Sequence, residues 1–103
     1  MPRFHPLALI LSALLLLGAI VGCAGAPVQE MSNARQAVQA AERAGATTHA
    51  PAELEEARRL LVQAKSNLDR GDYRAAREDA ELSREKAMTA RHIAETASAK
   101  TAP

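Results

Sequence analysis

The amino-acid sequence predicts an all-α protein, and three observations carry that prediction. Alanine, the residue with the highest helix propensity, supplies 21 of residues 23–103. Small and aliphatic residues recur at intervals of three and four along this part of the chain, which is the spacing of one face of an α-helix. The residues that favour strands are sparse, with one Tyr and one Phe in the whole sequence. The pattern indicates three Ala-rich helices: a short one followed by an antiparallel αα-hairpin.

The first helix is predicted from about Val28 to Ala44. Residues spaced by three and four form its buried stripe: Met31, Ala34, Val38, Ala41 and Gly45. Gly45 follows the last turn, where a left-handed glycine commonly ends a helix. A loop is expected over residues 46–50.

The second helix is predicted to begin at Pro51, because proline is favoured at the first helical position, and to end at Arg70-Gly71. Three glutamates in its first turns, at positions 53, 55 and 56, favour the positive end of the helix dipole. Its stripe is Leu54, Ala57, Leu61, Ala64 and Leu68, and Leu60 widens that face. The third helix follows after two residues, so the two helices are expected to fold back on each other.

The third helix is predicted over Tyr73 to Ala97, with Asp72 as its N-cap and residues 98–103 as a frayed tail. Its stripe is almost entirely small, which lets helix backbones approach closely, and Tyr73 is expected to fill the hairpin turn. The residues predicted to pack the helices together are Leu54, Ala57, Leu61, Ala64, Leu68, Tyr73, Ala76, Ala80 and Ala87. The domain organisation is therefore a helical domain over residues 28–97, preceded by the segments described next.

Residues 1–22 have the parts of a secretory signal: a basic start, an apolar run over residues 7–21, and small residues at the end. The run is shorter than the roughly 20 residues that span a bilayer. Its end, Ile20-Val21-Gly22-Cys23, resembles the lipobox of bacterial lipoproteins. The resemblance implies cleavage between Gly22 and Cys23 and attachment of acyl chains such as palmitate to Cys23. An uncleaved membrane anchor and a secreted protein with a free thiol are the alternatives.

The location follows from the same resemblance. One acyl chain binds a membrane reversibly, whereas two or more give stable anchoring, and three are implied on Cys23. Residues 23–27 then form the lipidated cysteine and a short tether. Ala24 stands where Asp tends to retain Gram-negative lipoproteins at the inner membrane, so the resemblance implies an outer-membrane protein that faces the periplasm.

Composition excludes several classes of function. Residues 23–103 contain only 12 Leu, Ile, Val, Met and Tyr residues, too few to enclose a large enzyme pocket. Basic and acidic residues balance at 12 each, and no aromatic platform accompanies them, which argues against nucleic-acid binding. His49 and His92 lie in separate segments, and the acidic residues around Asp72 alternate with arginines as on a solvent-exposed helix face. We expect no catalysis, no cofactor, no metal and no small-molecule substrate.

A longer resemblance covers about residues 28–97. The segments that carry it are Ala44-Gly45-Ala46, Ala50-Pro51-x-x-Leu54-x-x-Ala57, Leu61-x-x-Ala64 and Gly71-Asp72-Tyr73-x-x-Ala76. They are similar to an uncharacterised helical domain, a domain of unknown function, found in bacterial envelope lipoproteins and often N-terminal to OmpA-like domains. The resemblance implies a fold and a location, and no activity.

The sequence therefore favours a non-catalytic outer-membrane lipoprotein that acts as a periplasmic structural or interaction module. The expected partners are the membrane, through the lipid anchor, and either an envelope protein or a second copy of the chain. The alternative is an accessory subunit that docks on an envelope complex or transporter by helix-in-groove contact. Because its bulky residues are few, we expect the first helix to pack on the hairpin or the stripes to pair between chains.

Overall fold

The computed structural model describes residues 6–10, which are helical, and residues 25–101. The second of these stretches forms four helices: α1 (Val28–Arg43), α2 (Ala46–His49), α3 (Pro51–Asp69) and α4 (Tyr73–Thr101). The described residues contain no strand. The predicted all-α class and its three main helices are confirmed.

Helix α4 packs against both α1 and α3, whereas α1 and α3 contact each other less. Met31 of α1 shares a core cluster with Ala64 of α3 and Ala80 of α4. At the other end of the bundle, Ala41 shares a cluster with Leu54 and Ala87. From the N-terminal to the C-terminal end of α1, the residues that share its core clusters therefore advance along α4 and go back along α3. Helices α3 and α4 form the predicted antiparallel hairpin, and α1 packs on it parallel to α4.

Small side chains make up most of the core. The buried face of α4 consists of Ala76, Ala80, Ser83, Ala87, Ala90 and Ala94, all fully buried. The larger buried side chains on the described helices are Met31, Val38, Leu54 and Leu60. Burial stabilises by roughly 25 cal/mol per Å² of apolar surface, so each alanine contributes little and the fold depends on many of them. The close approach of the helix backbones is the main geometric consequence.

The turns between the helices contain the glycines and the capping aspartate that were predicted from the sequence. Gly45 (φ 93°) and Gly71 (φ 78°) both adopt the left-handed conformation and end α1 and α3. The backbone N–H of Ala75 donates to Asp72 Oδ1 at 3.4 Å, so Asp72 caps α4 as predicted.

Two boundaries differ from the sequence prediction. Residues 46–50 were expected as a loop, but α2 forms one helical turn there, in which the Ala50 N–H donates to the Ala46 carbonyl at 2.9 Å. The turn is stabilised because it buries the methyl groups of both alanines in the core. The predicted frayed tail is also wrong from Ser98 to Thr101: α4 continues there, and the Thr101 hydroxyl donates to the Ser98 carbonyl at 3.1 Å.

Candidate interaction surfaces

Eight of the nine packing residues predicted on α3 and α4, all except Tyr73, lie buried or half-buried where these helices pack together and against α1. Six of them are buried: Leu54, Ala57, Ala64, Ala76, Ala80 and Ala87. Leu61 and Leu68 are half-buried against the core clusters. Leu60 is the more deeply buried of the adjacent leucines, at 3% exposure, whereas Leu61 borders an open space between α1 and α3.

One polar group sits in the middle of this interface. Ser83 is fully buried, and its hydroxyl Oγ donates a 2.6 Å hydrogen bond to the backbone carbonyl of Ala57. A side chain as short as serine reaches a carbonyl of the neighbouring helix only where the two backbones lie close together. The hydroxyl is thereby satisfied inside an otherwise apolar interface.

The predicted role of Tyr73 is wrong. Its side chain is 43% exposed and does not fill the hairpin turn. Asn67 closes the turn instead: it is buried, its Nδ2 donates to Asp79 Oδ2 at 2.7 Å, and its Oδ1 accepts from Arg70. The backbone of Asp72 also donates to the Asn67 carbonyl at 2.9 Å. These polar bonds hold α3 to α4 at the turn, and the Tyr73 side chain lies outside it, largely exposed.

Sequence reasoning missed Asn67. A signal was present, since Asn67 lies three residues after Ala64 on the stripe of α3 and so points toward the core. An asparagine on a buried stripe needs hydrogen-bond partners, and the partners here lie on both sides of the turn.

A pair of contacts fixes the start of the helical domain. The Arg77 guanidinium on α4 contacts Glu30 Oε1 at 3.4 Å and donates to the Gly25 carbonyl at 3.2 Å. The charged pair is about one-third exposed on each side. Because Gly25 is two residues after Cys23, the chain on the C-terminal side of the predicted lipidation site is held against the bundle.

An open groove runs between α1 and α3 at this same end of the molecule, and we call it the apolar groove. Its volume is about 490 Å³. Its apolar walls are Val28, Met31, Leu61, Val62 and Leu68. Val28 and Val62 are 68% and 70% exposed. The groove exists because α1 and α3 both rest on α4 but touch each other less.

Charged residues line the edges of the apolar groove. Arg35 on α1 and Lys65 on α3 contribute positive charge, and Asp69 lies at its α3 edge. Exposed apolar side chains bordered by charges are the usual composition of a surface that accepts a partner helix.

Several acidic residues on α3 and α4 make local contacts. Glu78 pairs with Arg74 at 3.3 Å on the exposed face of α4, and Asp79 accepts from Asn67. The hydrogen bond from Arg59 lowers the pKa of Glu56, and the same bond raises the pKa of Arg59. The 2.7 Å ion pair that causes both shifts lies within α3 and is well exposed. It stabilises the helix locally.

Within residues 6–10 and 25–101, no group of three or more His, Cys, Asp and Glu side chains is arranged to hold a metal ion. In the same residues, no helix has the length and apolarity needed to cross a bilayer. The predicted cleavage site at Gly22 and lipidation site at Cys23 lie outside the described residues, as does most of the predicted signal segment.

Comparison with known proteins places the domain. No curated protein and no solved structure matches the chain. A family model described as a domain of unknown function, DUF4398, matches residues 29–103. That range covers α1 to α4, with the alanine-lined core and both glycine turns. The chain belongs to the DUF4398 family.

Proposed function

We infer that this protein is a non-catalytic lipoprotein of the outer membrane, anchored through Cys23 and exposing its helical domain to the periplasm as an interaction module. The observation that carries the proposal is the position of the apolar groove. It opens at the end of the bundle to which Arg77 ties Gly25, next to the predicted anchor. An interaction surface there would meet proteins that are themselves in or near the membrane.

The distance from the anchor to the groove is short. Val28 is five positions after Cys23, and an extended chain advances at most about 3.6 Å per residue, so Val28 would lie within roughly 18 Å of the lipidated cysteine. The contact between Arg77 and Gly25 restricts this segment further. The groove would therefore face the region directly above the membrane surface.

The shape of the groove supports the more specific proposal of docking by an amphipathic helix. Its walls are two helices that contact each other less than they contact α4, and two of its apolar side chains, Val28 and Val62, are open to solvent. A third helix could lay an apolar face over Met31, Leu61 and Val62 while Lys65 and Arg35 pair with acidic residues at its margin. The occupant we propose is a helix of an envelope protein, which makes the chain an accessory subunit of that protein.

The anchor is tested with the full-length protein and Cys23→Ser, expressed in a Gram-negative host. Intact mass should give a mature wild-type chain that begins at Cys23 and carries acyl chains. Membrane fractionation should place it in the outer membrane, and the Cys23→Ser protein should leave that fraction. An unmodified Cys23 with residues 1–22 retained would contradict the lipoprotein proposal.

The groove is tested separately by placing a photo-crosslinking amino acid at Val62, with Leu82 as the matched control. Leu82 is also an exposed apolar residue, at 40% exposure, but it lies on α4 outside the groove. A defined membrane protein should crosslink through position 62 and not through position 82. Val28→Glu, at a groove residue that is 68% exposed, should abolish the product. Equal crosslinking at both positions would rule out the groove as the docking surface.

A further inference from the structure

A second cleft, between α1 and α4, has a different chemical character. Its volume is about 440 Å³, and we call it the cationic cleft. Arg43 on α1 and Arg84 and Arg91 on α4 line it, together with the amides Asn33 and Gln36. None of the described residues that line it is acidic. Its floor is apolar, formed by Ala37, Ala40 and Met88, the last of which is 52% exposed.

The arginines of this cleft are unusual in the described part of the chain. Five other arginines have partners there: Arg58, Arg59, Arg74 and Arg77 pair with glutamates, and Arg70 binds Asn67. The side chains of Arg43 and Arg84 form no ion pair or hydrogen bond with any described residue, and the apolar groove contains the third such arginine, Arg35. Arg91 pairs with Glu95 at 2.7 Å through one edge of its guanidinium. The cleft therefore concentrates positive charge that the fold itself does not neutralise.

The spacing of these charges follows helix geometry. Arg84, Met88 and Arg91 occupy positions i, i+4 and i+7 of α4, so the two arginines are about 10.5 Å apart along the helix axis. Helix α1 runs parallel to α4, and its last residue, Arg43, lines the same cleft as Arg91. Ala41, two residues before Arg43, belongs to the same core cluster as Ala87 and Ala90. Positive charge thus lies at two positions along the cleft, at Arg84 and at Arg91, and the apolar side chain of Met88 lies between them.

We propose that the cationic cleft binds an acidic amphipathic helix of a partner protein, with acidic residues at i and i+7 facing Arg84 and Arg91 and an apolar residue at i+3 or i+4 over Met88. A helix laid along the cleft repeats its side chains at the same pitch as α4, so both acidic groups reach an arginine at once. The carboxylate beside Arg91 also meets Arg43. The apolar floor favours a helix over a simple polyanion, which has nothing to place on Met88, Ala37 and Ala40.

This site is distinct from the apolar groove and does not depend on the lipid anchor. Val28, Met31 and Arg35 line the groove on one side of α1, while Asn33, Gln36 and Arg43 line the cleft on another. The protein can therefore hold two partners, or two segments of one partner, on opposite sides of its first helix.

The test uses full-length protein in detergent and a fluorescent helical peptide of about 18 residues, a length at which an Ala-rich helix is formed in water. The peptide carries two Glu seven residues apart and Leu at the two positions between them that share their face. Fluorescence polarisation should detect binding that weakens with added salt. The double variant Arg84→Gln/Arg91→Gln should weaken it about tenfold, as expected for two exposed ion pairs.

Matched controls separate this contact from general attraction. Arg74→Gln removes an arginine from the same helix outside the cleft and should leave binding unchanged. The reversed variant Arg84→Glu/Arg91→Glu should instead bind a peptide with Lys at the two acidic positions. Met88→Gln should weaken binding of the original peptide.

Three results would overturn the proposal. The first is equal binding of a peptide in which both Glu are replaced by Gln. The second is displacement of the peptide by inorganic polyphosphate together with no effect of Met88→Gln, which would make the cleft a site for polyanions. The third is a change in oligomeric state on Arg84→Gln/Arg91→Gln, which would make a second copy of the chain the occupant.

Discussion

The Ser83 hydroxyl on α4 donates a 2.6 Å hydrogen bond to the backbone carbonyl of Ala57 on α3, and both residues are fully buried. This contact measures how closely the two helices approach, because a serine hydroxyl extends little beyond a methyl group. The neighbouring positions on the α4 face are alanines for the same geometric reason. The bundle is therefore held by backbone proximity, with little volume available for larger side chains.

The first prediction concerns this lack of volume. Ala87→Leu should destabilise the protein by about 1–3 kcal/mol or more, because added methylene groups force the helices apart. Urea denaturation followed by circular dichroism measures the change in the free energy of unfolding. Ala99→Leu is the control on the same helix: Ala99 is exposed, so the same substitution should change stability by no more than about 0.5 kcal/mol. Similar effects at both positions would contradict the close packing.

The second prediction concerns the hydrogen bond itself. Ser83→Ala removes the hydroxyl and leaves a side chain that fits, so the free energy of unfolding should fall by about 0.5–1.5 kcal/mol. Ser83→Val should cost more, because its second methyl group must fit against α3. Thermal denaturation of both variants ranks the two effects. A Val variant as stable as the Ala variant would show that the helices can separate without cost.

The helices, their stripes and their caps could be predicted because they depend on local sequence. Intervals of three and four residues identify the buried face of a helix whatever it packs against, and Gly45 and Gly71 identify turns by backbone conformation alone. Helix α2 was missed because one turn is too short for periodicity, although Ala46 and Ala50 are four residues apart as that turn requires.

The interaction surfaces depend on how the helices are arranged and could not be predicted. The contact between Arg77 and Gly25 joins residues 52 positions apart. The greater burial of Leu60 than of Leu61 reflects incomplete coverage of α3 by α1. Nothing local in the sequence separates Arg84 and Arg91 from the other arginines of α4, and only the packing of α1 against α4 places Arg43 beside them in one cleft.

The third prediction tests the turn between α3 and α4. Asn67→Ala leaves Asp79 and Arg70 without their bonds to the asparagine, so the protein should lose about 1–3 kcal/mol of stability. A double-mutant cycle with Asp79→Ala isolates the bond between these two residues. A coupling of about 0.5 kcal/mol or more is expected for the pair. If the destabilisations of the two single variants simply add in the double variant, the bond between Asn67 and Asp79 does not contribute to stability.

The fourth prediction separates backbone strain from steric contact. Gly71 has φ 78°, and no atom lies within 4 Å of the position a Cβ would occupy. Gly71→Ala should still destabilise the protein by about 1 kcal/mol, because a non-glycine residue disfavours the left-handed conformation. Gly71→Asn should lose less, since asparagine tolerates that conformation better. Equal stability of the Ala variant and the wild type would show that the turn can adopt another backbone geometry.

The last prediction concerns pH. The hydrogen bond from Arg59 lowers the pKa of Glu56 in the folded protein, so the charged form is favoured by folding. Its contribution is fully present above the pKa of an unfolded glutamate, about 4.3, and is lost as the pH falls through the lower folded-state value. Glu56→Gln should therefore make stability less dependent on pH below about pH 5, as measured by urea denaturation between neutral and acidic pH. Arg59→Gln should have the same effect, since it removes the donor that shifts the pKa, and the double variant should add nothing further.

Glu85→Gln, at an exposed glutamate without an ion pair among the described residues, is the matched control. A reduction in pH dependence as large for Glu85→Gln as for Glu56→Gln would show that net charge, and not the pair with Arg59, sets the acid sensitivity.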